Sequence, residues 1–87
     1  MASFSVEWKR SAQKELKSLD RQAIPRIVDA VEALETDPYP LGSRKLVGSE
    51  HTYRIRIGDY RVIYNVMASQ LVIEIIRVRH RKEAYDE

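Results

Sequence analysis

Three arginines that alternate with apolar residues are the side chains in this sequence best suited to bind an anion. Arg54 and Arg56 are separated by one isoleucine, and Arg61 follows within the same stretch, Tyr53 to Tyr64. Each guanidinium carries planar N–H donors that can bind a phosphate through two parallel hydrogen bonds. The stretch therefore predicts a site for a phosphate or another anion. The alternative is that the arginines form only the solvated face of a strand, since charged residues are mostly exposed.

Basic residues also cluster elsewhere in the second half of the chain. These further clusters are Arg44-Lys45 and the group Arg77, Arg79, Arg81 and Lys82. Residues 1–43 carry 6 Lys and Arg against 7 Asp and Glu, a net charge of −1, whereas residues 44–87 carry 9 against 6, a net charge of +3. Such a split predicts an anionic partner for the second half, either a nucleic acid or an acidic protein segment.

The composition narrows the class of protein. The 87 residues are expected to form one domain, 1–87, with a modest core. The chain has no cysteine, so it can form neither a disulfide framework nor a thiolate metal site. No apolar run approaches the roughly 20 residues of a membrane span, and the first residues lack the basic and apolar regions of a signal peptide. We therefore expect a cytoplasmic protein that binds no membrane.

The arginine-bearing stretch is predicted to be a β-hairpin. Its residues alternate with period 2 on both sides of Gly58-Asp59, and a glycine in this position permits the positive φ of a type II′ turn. In that register Ile57 faces Tyr60, and Arg56 faces Arg61. Two arginines directly opposite each other repel and lower stability unless an anion lies between them. The hairpin register thus also points to an anion site.

Hydrophobic periodicity predicts the elements that surround this hairpin. They are a first strand over 4–8, an amphipathic helix over 9–19, a second helix that Asp20 caps and whose first turn contains Pro25, a loop over 36–43, a short edge strand or extended loop over 44–48, and a long central strand over 71–79. The order β-α-α-β-β-β predicts an α+β fold, a twisted and mostly antiparallel sheet with two N-terminal helices packed on one face. The hairpin arginines are then expected on the opposite, open face.

The facing of the last strand depends on the connection before it. A two-residue loop at Ala68-Ser69 would put alternate residues on the open face, namely Glu74, Ile76, Val78 and His80. A one-residue slip or a bulge would instead put Arg77, Arg79 and Arg81 there. The sequence leaves both arrangements open.

Four motifs together resemble the RelE/ParE superfamily of bacterial and archaeal toxins, and most of all its RelE branch. They are Asp37-Pro38, Lys45-Leu46-x-Gly48, the stretch from Tyr53 to Tyr64, and Ile76-Arg-Val-x-His80-Arg81-x-x-x-Tyr85. The resemblance spans essentially the whole chain and implies the RelE-like fold. It also implies the toxin of a type II toxin–antitoxin system, a ribosome-dependent endoribonuclease that cuts mRNA in the ribosomal A site. The implied partners are the ribosome, mRNA and a RelB-like antitoxin that wraps the toxin.

The resemblance also implies roles for particular residues, without any metal or cofactor. The implied catalytic residues are Arg54, Arg56, Arg61, Arg81 and Tyr85, with Arg44, Lys45, Arg79 and Lys82 on the RNA backbone. RelE toxins often carry a lysine at the position of Arg54 as the proposed general base. Arginine has a pKa above ~12 and is a poor base at neutral pH. His80, with an ordinary pKa near ~6.5, is therefore the substitute candidate for proton transfer.

Two further functions are compatible with the same fold. One is a ParE-type inhibitor of DNA gyrase, which binds its protein target without nuclease chemistry. The other is an inert relic that binds only its antitoxin. Cleavage of mRNA in a translation reaction distinguishes the nuclease from both.

Overall fold

A five-stranded mixed sheet forms the frame of the protein in the computed structural model, which describes residues 3–83. The elements in chain order are β1 Ser5–Trp8, α1 Arg10–Lys17, α2 Ala23–Ala33, β2 Arg44–Lys45, β3 Thr52–Ile57, β4 Tyr60–Met67 and β5 Val72–His80, with 3₁₀ turns at Ala68–Gln70 and Arg81–Glu83. The strands lie in the order β1-β5-β4-β3-β2. Only the β1–β5 pair is parallel. The predicted α+β fold is confirmed, and residues 44–45 form the short edge strand.

The two helices differ in detail from the sequence-based expectation. α1 is shorter than predicted, and α2 begins after Gln22, so the prediction that Asp20 caps it is wrong. The backbone carbonyl of Asp20, not its side chain, accepts the N–H of Ala23 at 2.9 Å. Pro25 lies in the first turn of α2 as expected, where its missing N–H has no intrahelical partner to lose. No helix among residues 3–83 is long and apolar enough to cross a membrane.

The core lies between the helices and one face of the sheet. Its buried members are Ala12, Ala23, Ile27, Val31, Leu34, Ile55, Val62, Tyr64, Val66, Ile73, Ile75 and Val78. Tyr64 is fully buried and donates its hydroxyl hydrogen to the carbonyl of Pro38 at 2.8 Å. Burial disfavours the charged phenolate and raises the pKa of Tyr64 to about 12, against an opposing hydrogen bond from Ser43. Tyr64 thus ties the proline-rich loop to the sheet.

The β3–β4 hairpin has the predicted register. Ile57 pairs with Tyr60 and Arg56 with Arg61. Gly58 has a φ of 59°, and a Cβ placed on it would lie 2.9 Å from Nη2 of Arg26 on α2. Glycine is therefore favoured here by backbone conformation and by close approach of a side chain.

The β4–β5 connection differs from the two-residue loop considered above. It consists of the 3₁₀ turn Ala68–Gln70 followed by Leu71 in the left-handed conformation. Tyr64 pairs with Ile75 but Ile63 pairs with Arg77, so Ile76 is an extra residue, a β-bulge. The bulge reverses the alternation of side chains along β5. Consequently Arg77 and Arg79 share the face of Arg61 and Ile63, and the alternative that put Val78 and His80 there is wrong.

Candidate nucleic-acid interface

Two rows of arginines cross the open face of the sheet. Directly paired residues on neighbouring strands share a face, with Cβ atoms about 4.5–5.5 Å apart. The first row consists of Arg56 on β3, Arg61 on β4 and Arg79 on β5. The second row consists of Arg44 on β2, Arg54 on β3, Ile63 on β4 and Arg77 on β5. We call the six arginines of these rows the arginine face.

The arginines of this face differ in burial. Arg44, Arg56 and Arg77 are exposed, whereas Arg54, Arg61 and Arg79 are half-buried. Ile63 is only 8% exposed, although it lies outside the main core and its cross-strand neighbours are Arg54 and Arg77. Arginine stems commonly cover apolar surface while their guanidinium groups stay near water. Ile63 therefore provides an apolar floor within an otherwise cationic face.

A row of uncharged and acidic residues borders the arginine face at the end of the strands away from the β3–β4 turn. The hydroxyl of Thr52 donates to Oδ1 of Asn65 at 2.6 Å, and Nδ2 of Asn65 donates to Oε1 of Glu74 at 3.2 Å. Glu7 on β1 pairs with Glu74 in the parallel ladder. Positive potential is thus confined to the part of the face near the β3–β4 turn, which favours an anion there and disfavours one at the other end.

Arg79 is held by a carboxylate from α1. Its Nε lies 3.5 Å from Oε2 of Glu15, and the other carboxylate oxygen, Oε1, accepts the backbone N–H of Val78 at 2.9 Å. A groove of about 530 Å³ runs between α1 and β5 at this point. It is lined by Lys9, Ser11, Glu15, Asn65, Glu74, Ile76, Arg77 and Arg79. The groove extends the arginine face toward α1.

His80, predicted to transfer a proton, lies on the other side of the sheet from the arginine face. It pairs with Tyr60, and the two rings meet edge to face with centroids 5.2 Å apart. Its Nδ1 accepts the N–H of Lys82 at 3.2 Å. The fold therefore does not bring the imidazole into either arginine row.

Arg81, predicted as a catalytic residue, lies beyond the end of β5 at the β3–β4 turn. Its N–H donates to the carbonyl of Asp59 at 2.7 Å, and its Nε lies 3.8 Å from the Asp59 carboxylate. Both side chains are more than half exposed, so this ion pair contributes little to stability. In the β4–β5 register the residue beside Arg61 is Arg79, which was predicted only to contact the RNA backbone.

The other predicted residues fall in different places. Lys45 pairs with Tyr53, so the alternation along β2 puts it on the helix-covered face of the sheet. Lys82 is exposed in the last 3₁₀ turn. Tyr85 lies outside the described residues. The sequence-based site omitted Arg77, which the bulge brings into the second row. The signal for it was the alternation of Arg77 and Arg79, which repeats that of Arg54 and Arg56.

The arrangement suits electrostatic stabilisation of a polyanion. Several guanidiniums on one face can bind adjacent oxygens of a phosphate and neutralise charge that develops on it. Among residues 3–83, no group of three or more His, Asp or Glu side chains is placed to hold a metal ion. The chemistry that the two arginine rows can support is that of fixed cations around an anion.

Comparisons with known proteins agree with the fold. A family model described as the ParE toxin of type II toxin–antitoxin systems matches residues 6–85. The RelE1 protein of Methanocaldococcus jannaschii is 34% identical over 85 residues, covering 94% of each chain. The archaeal RelE of the RelE–RelB complex from Pyrococcus horikoshii superposes with a TM-score of 0.82 at 33% identity, covering 94% of this chain and 99% of the other. The isolated RelE toxin of E. coli, at 21% identity and 97% coverage of each chain, has the same fold with a TM-score of 0.79.

Proposed function

The chain belongs to the RelE/ParE family of toxins from type II toxin–antitoxin systems, and from this premise we propose that it is a ribosome-dependent endoribonuclease that cuts mRNA in the ribosomal A site. The observation that carries the proposal is the row Arg56, Arg61 and Arg79, three guanidiniums side by side on three neighbouring strands. Such a row suits a metal-free nuclease, because the phosphorane formed at the scissile phosphate carries more negative charge than the ground state.

The reaction is attack of a ribose 2′-OH on its own 3′-phosphate. The 2′-oxygen forms a bond to phosphorus, the bond to the 5′-oxygen of the next nucleotide breaks, and a 2′,3′-cyclic phosphate remains. One proton leaves the 2′-OH and one is delivered to the departing 5′-oxygen. In our proposal the first arginine row binds the non-bridging oxygens, and Arg44, Arg54 and Arg77 bind neighbouring phosphates.

Proton transfer is assigned separately from charge stabilisation. The rows contain only arginines and Ile63, and arginine does not release its proton near neutral pH. Proton transfer is therefore assigned to His80 at the end of β5, and Arg81 and Tyr85 keep their proposed catalytic roles. His80 would reach the substrate only from the edge of the sheet, since it pairs with Tyr60.

We also propose that the protein binds a RelB-like antitoxin. Because ribosomes lie in the cytoplasm, we propose that the protein is located there as well. Solved structures similar to this chain include RelE–RelB complexes from Pyrococcus horikoshii and Methanococcus jannaschii. In this chain an acidic or amphipathic antitoxin segment would neutralise the arginine face and deny it to RNA.

The direct test is cleavage of a defined mRNA by the purified protein, with and without ribosomes that hold the message. We expect cuts only when the ribosome is present, and none after addition of saturating cognate antitoxin. The matching family model is that of the ParE toxin, and a ParE-type protein would inhibit DNA gyrase. A gyrase supercoiling reaction is therefore run in parallel. Inhibition of gyrase with intact mRNA would favour the ParE-type alternative and overturn the nuclease proposal.

A further inference from the structure

The edge of β5 changes partner halfway along the strand. β1 pairs with β5 only as far as Ile75, after which the N–H of Lys9 donates to the carbonyl of Ile75 and the chain turns into α1. Within residues 3–83, the part of β5 beyond the bulge therefore has no neighbouring strand on this side. A backbone N–H left there without an acceptor would destabilise the fold.

Glu15 takes the place of the missing strand. Its Oε1 accepts the N–H of Val78 at 2.9 Å, and its Oε2 lies 3.5 Å from Nε of Arg79. The Glu15 side chain is 29% exposed and the Arg79 side chain 35%, so the pair is partly shielded from water. One carboxylate thus fixes both the backbone and the side chain of the strand segment that carries the arginines.

The contact at Nε has a directional consequence for Arg79. A carboxylate beside Nε limits how the guanidinium plane can turn, and four of the five N–H donors of a guanidinium lie on the two terminal nitrogens of the fork. The same carboxylate holds Val78, the residue between Arg77 and Arg79, in the register set by the bulge. Both arginines depend on this register to lie on the arginine face.

We propose that Glu15 is a positioning residue, which orients Arg79 toward the scissile phosphate and acts on the reaction only through it. The inference rests on the proposed nuclease function and deepens it. No feature of the sequence alone identified Glu15, because it lies on α1 and meets Val78 and Arg79 only in the folded chain.

Two substitutions separate the contacts that Glu15 makes. Glu15→Gln keeps an oxygen that can accept the N–H of Val78 but removes the charge that pairs with Arg79, whereas Glu15→Ala removes both. Glu32→Gln is the matched control, since Glu32 is an exposed glutamate on the other helix, α2. We expect Glu15→Gln to lower kcat of ribosome-dependent cleavage about tenfold, the scale of losing a second-layer orienting group. KM and the unfolding midpoint should stay near the wild-type values.

A double-mutant cycle tests whether Glu15 acts through Arg79. In an Arg79→Ala background, Glu15→Gln should have no further effect on kcat, because the group that it orients is gone. An equal tenfold loss in that background would show an independent role and overturn the proposal. So would wild-type kcat in Glu15→Gln alone.

A second readout does not require nuclease activity. The Nε–H proton of Arg79 should exchange slowly with water in the purified wild-type toxin and in Glu32→Gln, and faster in Glu15→Gln. The amide of Val78 should lose protection only in Glu15→Ala. Unchanged exchange at Nε in Glu15→Gln would overturn the positioning role. If exchange changes as expected but wild-type protein cuts no mRNA, the orienting contact is supported and the nuclease proposal fails.

Discussion

The two faces of the sheet are built from the same strands but depend on different physics. On the helix-covered face, residues such as Val62, Tyr64 and Ile75 are wholly buried and are selected for shape and volume. On the arginine face, their neighbours in sequence, such as Arg61, bring like charges close together across the strands. Like charges side by side destabilise a sheet. The difference teaches that stability is supplied by one face, and that the other is costly to the fold unless an anion covers it.

The largest effect on stability is expected from the helix-covered face. Ile75→Ala should lower the free energy of unfolding by about 2–5 kcal/mol, because it leaves a cavity at a fully buried site. Urea denaturation measures this loss. Its matched control is Ile76→Ala, which truncates the neighbouring isoleucine at the half-buried bulge position. Equal losses at the two positions would contradict the difference between the faces.

Arg61→Ala should have the opposite profile. Ribosome-dependent cleavage should fall by a factor on the order of 10² to 10³, the typical cost of losing one fixed donor to a developing charge. Stability should change by less than about 1 kcal/mol, since relief of repulsion with Arg56 and Arg79 offsets the lost packing of the stem. Cleavage rates and urea curves from the same preparations test both statements. Arg21→Ala removes an exposed arginine that lies between the two helices, and its cleavage should remain close to wild type.

A smaller effect is expected where Tyr64 holds the proline-rich loop. Tyr64→Phe should cost about 1–2 kcal/mol at neutral pH, because the carbonyl of Pro38 loses a buried hydrogen bond. Cleavage should be almost unchanged, since Tyr64 lies on the helix-covered face. A Tyr64→Phe protein with wild-type stability would show that the loop is held by packing alone.

The same pair of proteins gives a pH dependence of definite sign. The pKa of Tyr64 is about 12 in the folded protein against 10.0 for an ordinary tyrosine. The unfolded chain therefore releases this proton first, and the stability linked to it is complete below pH 10 and declines as pH rises toward 12. The stability advantage of wild type over Tyr64→Phe should shrink across this interval. An advantage that stays constant from pH 9 to 12 would contradict the raised pKa.

The two hairpins show how far the sequence can predict this molecule. In β3–β4, Gly58-Asp59 specifies a two-residue turn, so the pairing of Arg56 with Arg61 follows from counting residues. In β4–β5 the turn contains Leu71 with a φ of 56°, a conformation that leucine does not signal. The bulge at Ile76 lies within a run of apolar residues, and no residue type there indicates it. Hence the facing of Arg77 and Arg79 could not be predicted, and neither could their contact with α1 through Glu15.

The bulge at Ile76 acts on β5 as a single inserted nucleotide acts on a reading frame. Before Ile76 the side chains alternate so that Ile73 and Ile75 lie toward the helices. After Ile76 the alternation is reversed, so that Val78 lies toward the helices. Removing this one residue would give a regular strand and leave Arg77 and Arg79 on the arginine face, whereas keeping it and pairing β5 without a bulge would carry both to the apolar side. The facing of the two arginines therefore depends on the presence of the bulge more than on which side chain occupies position 76.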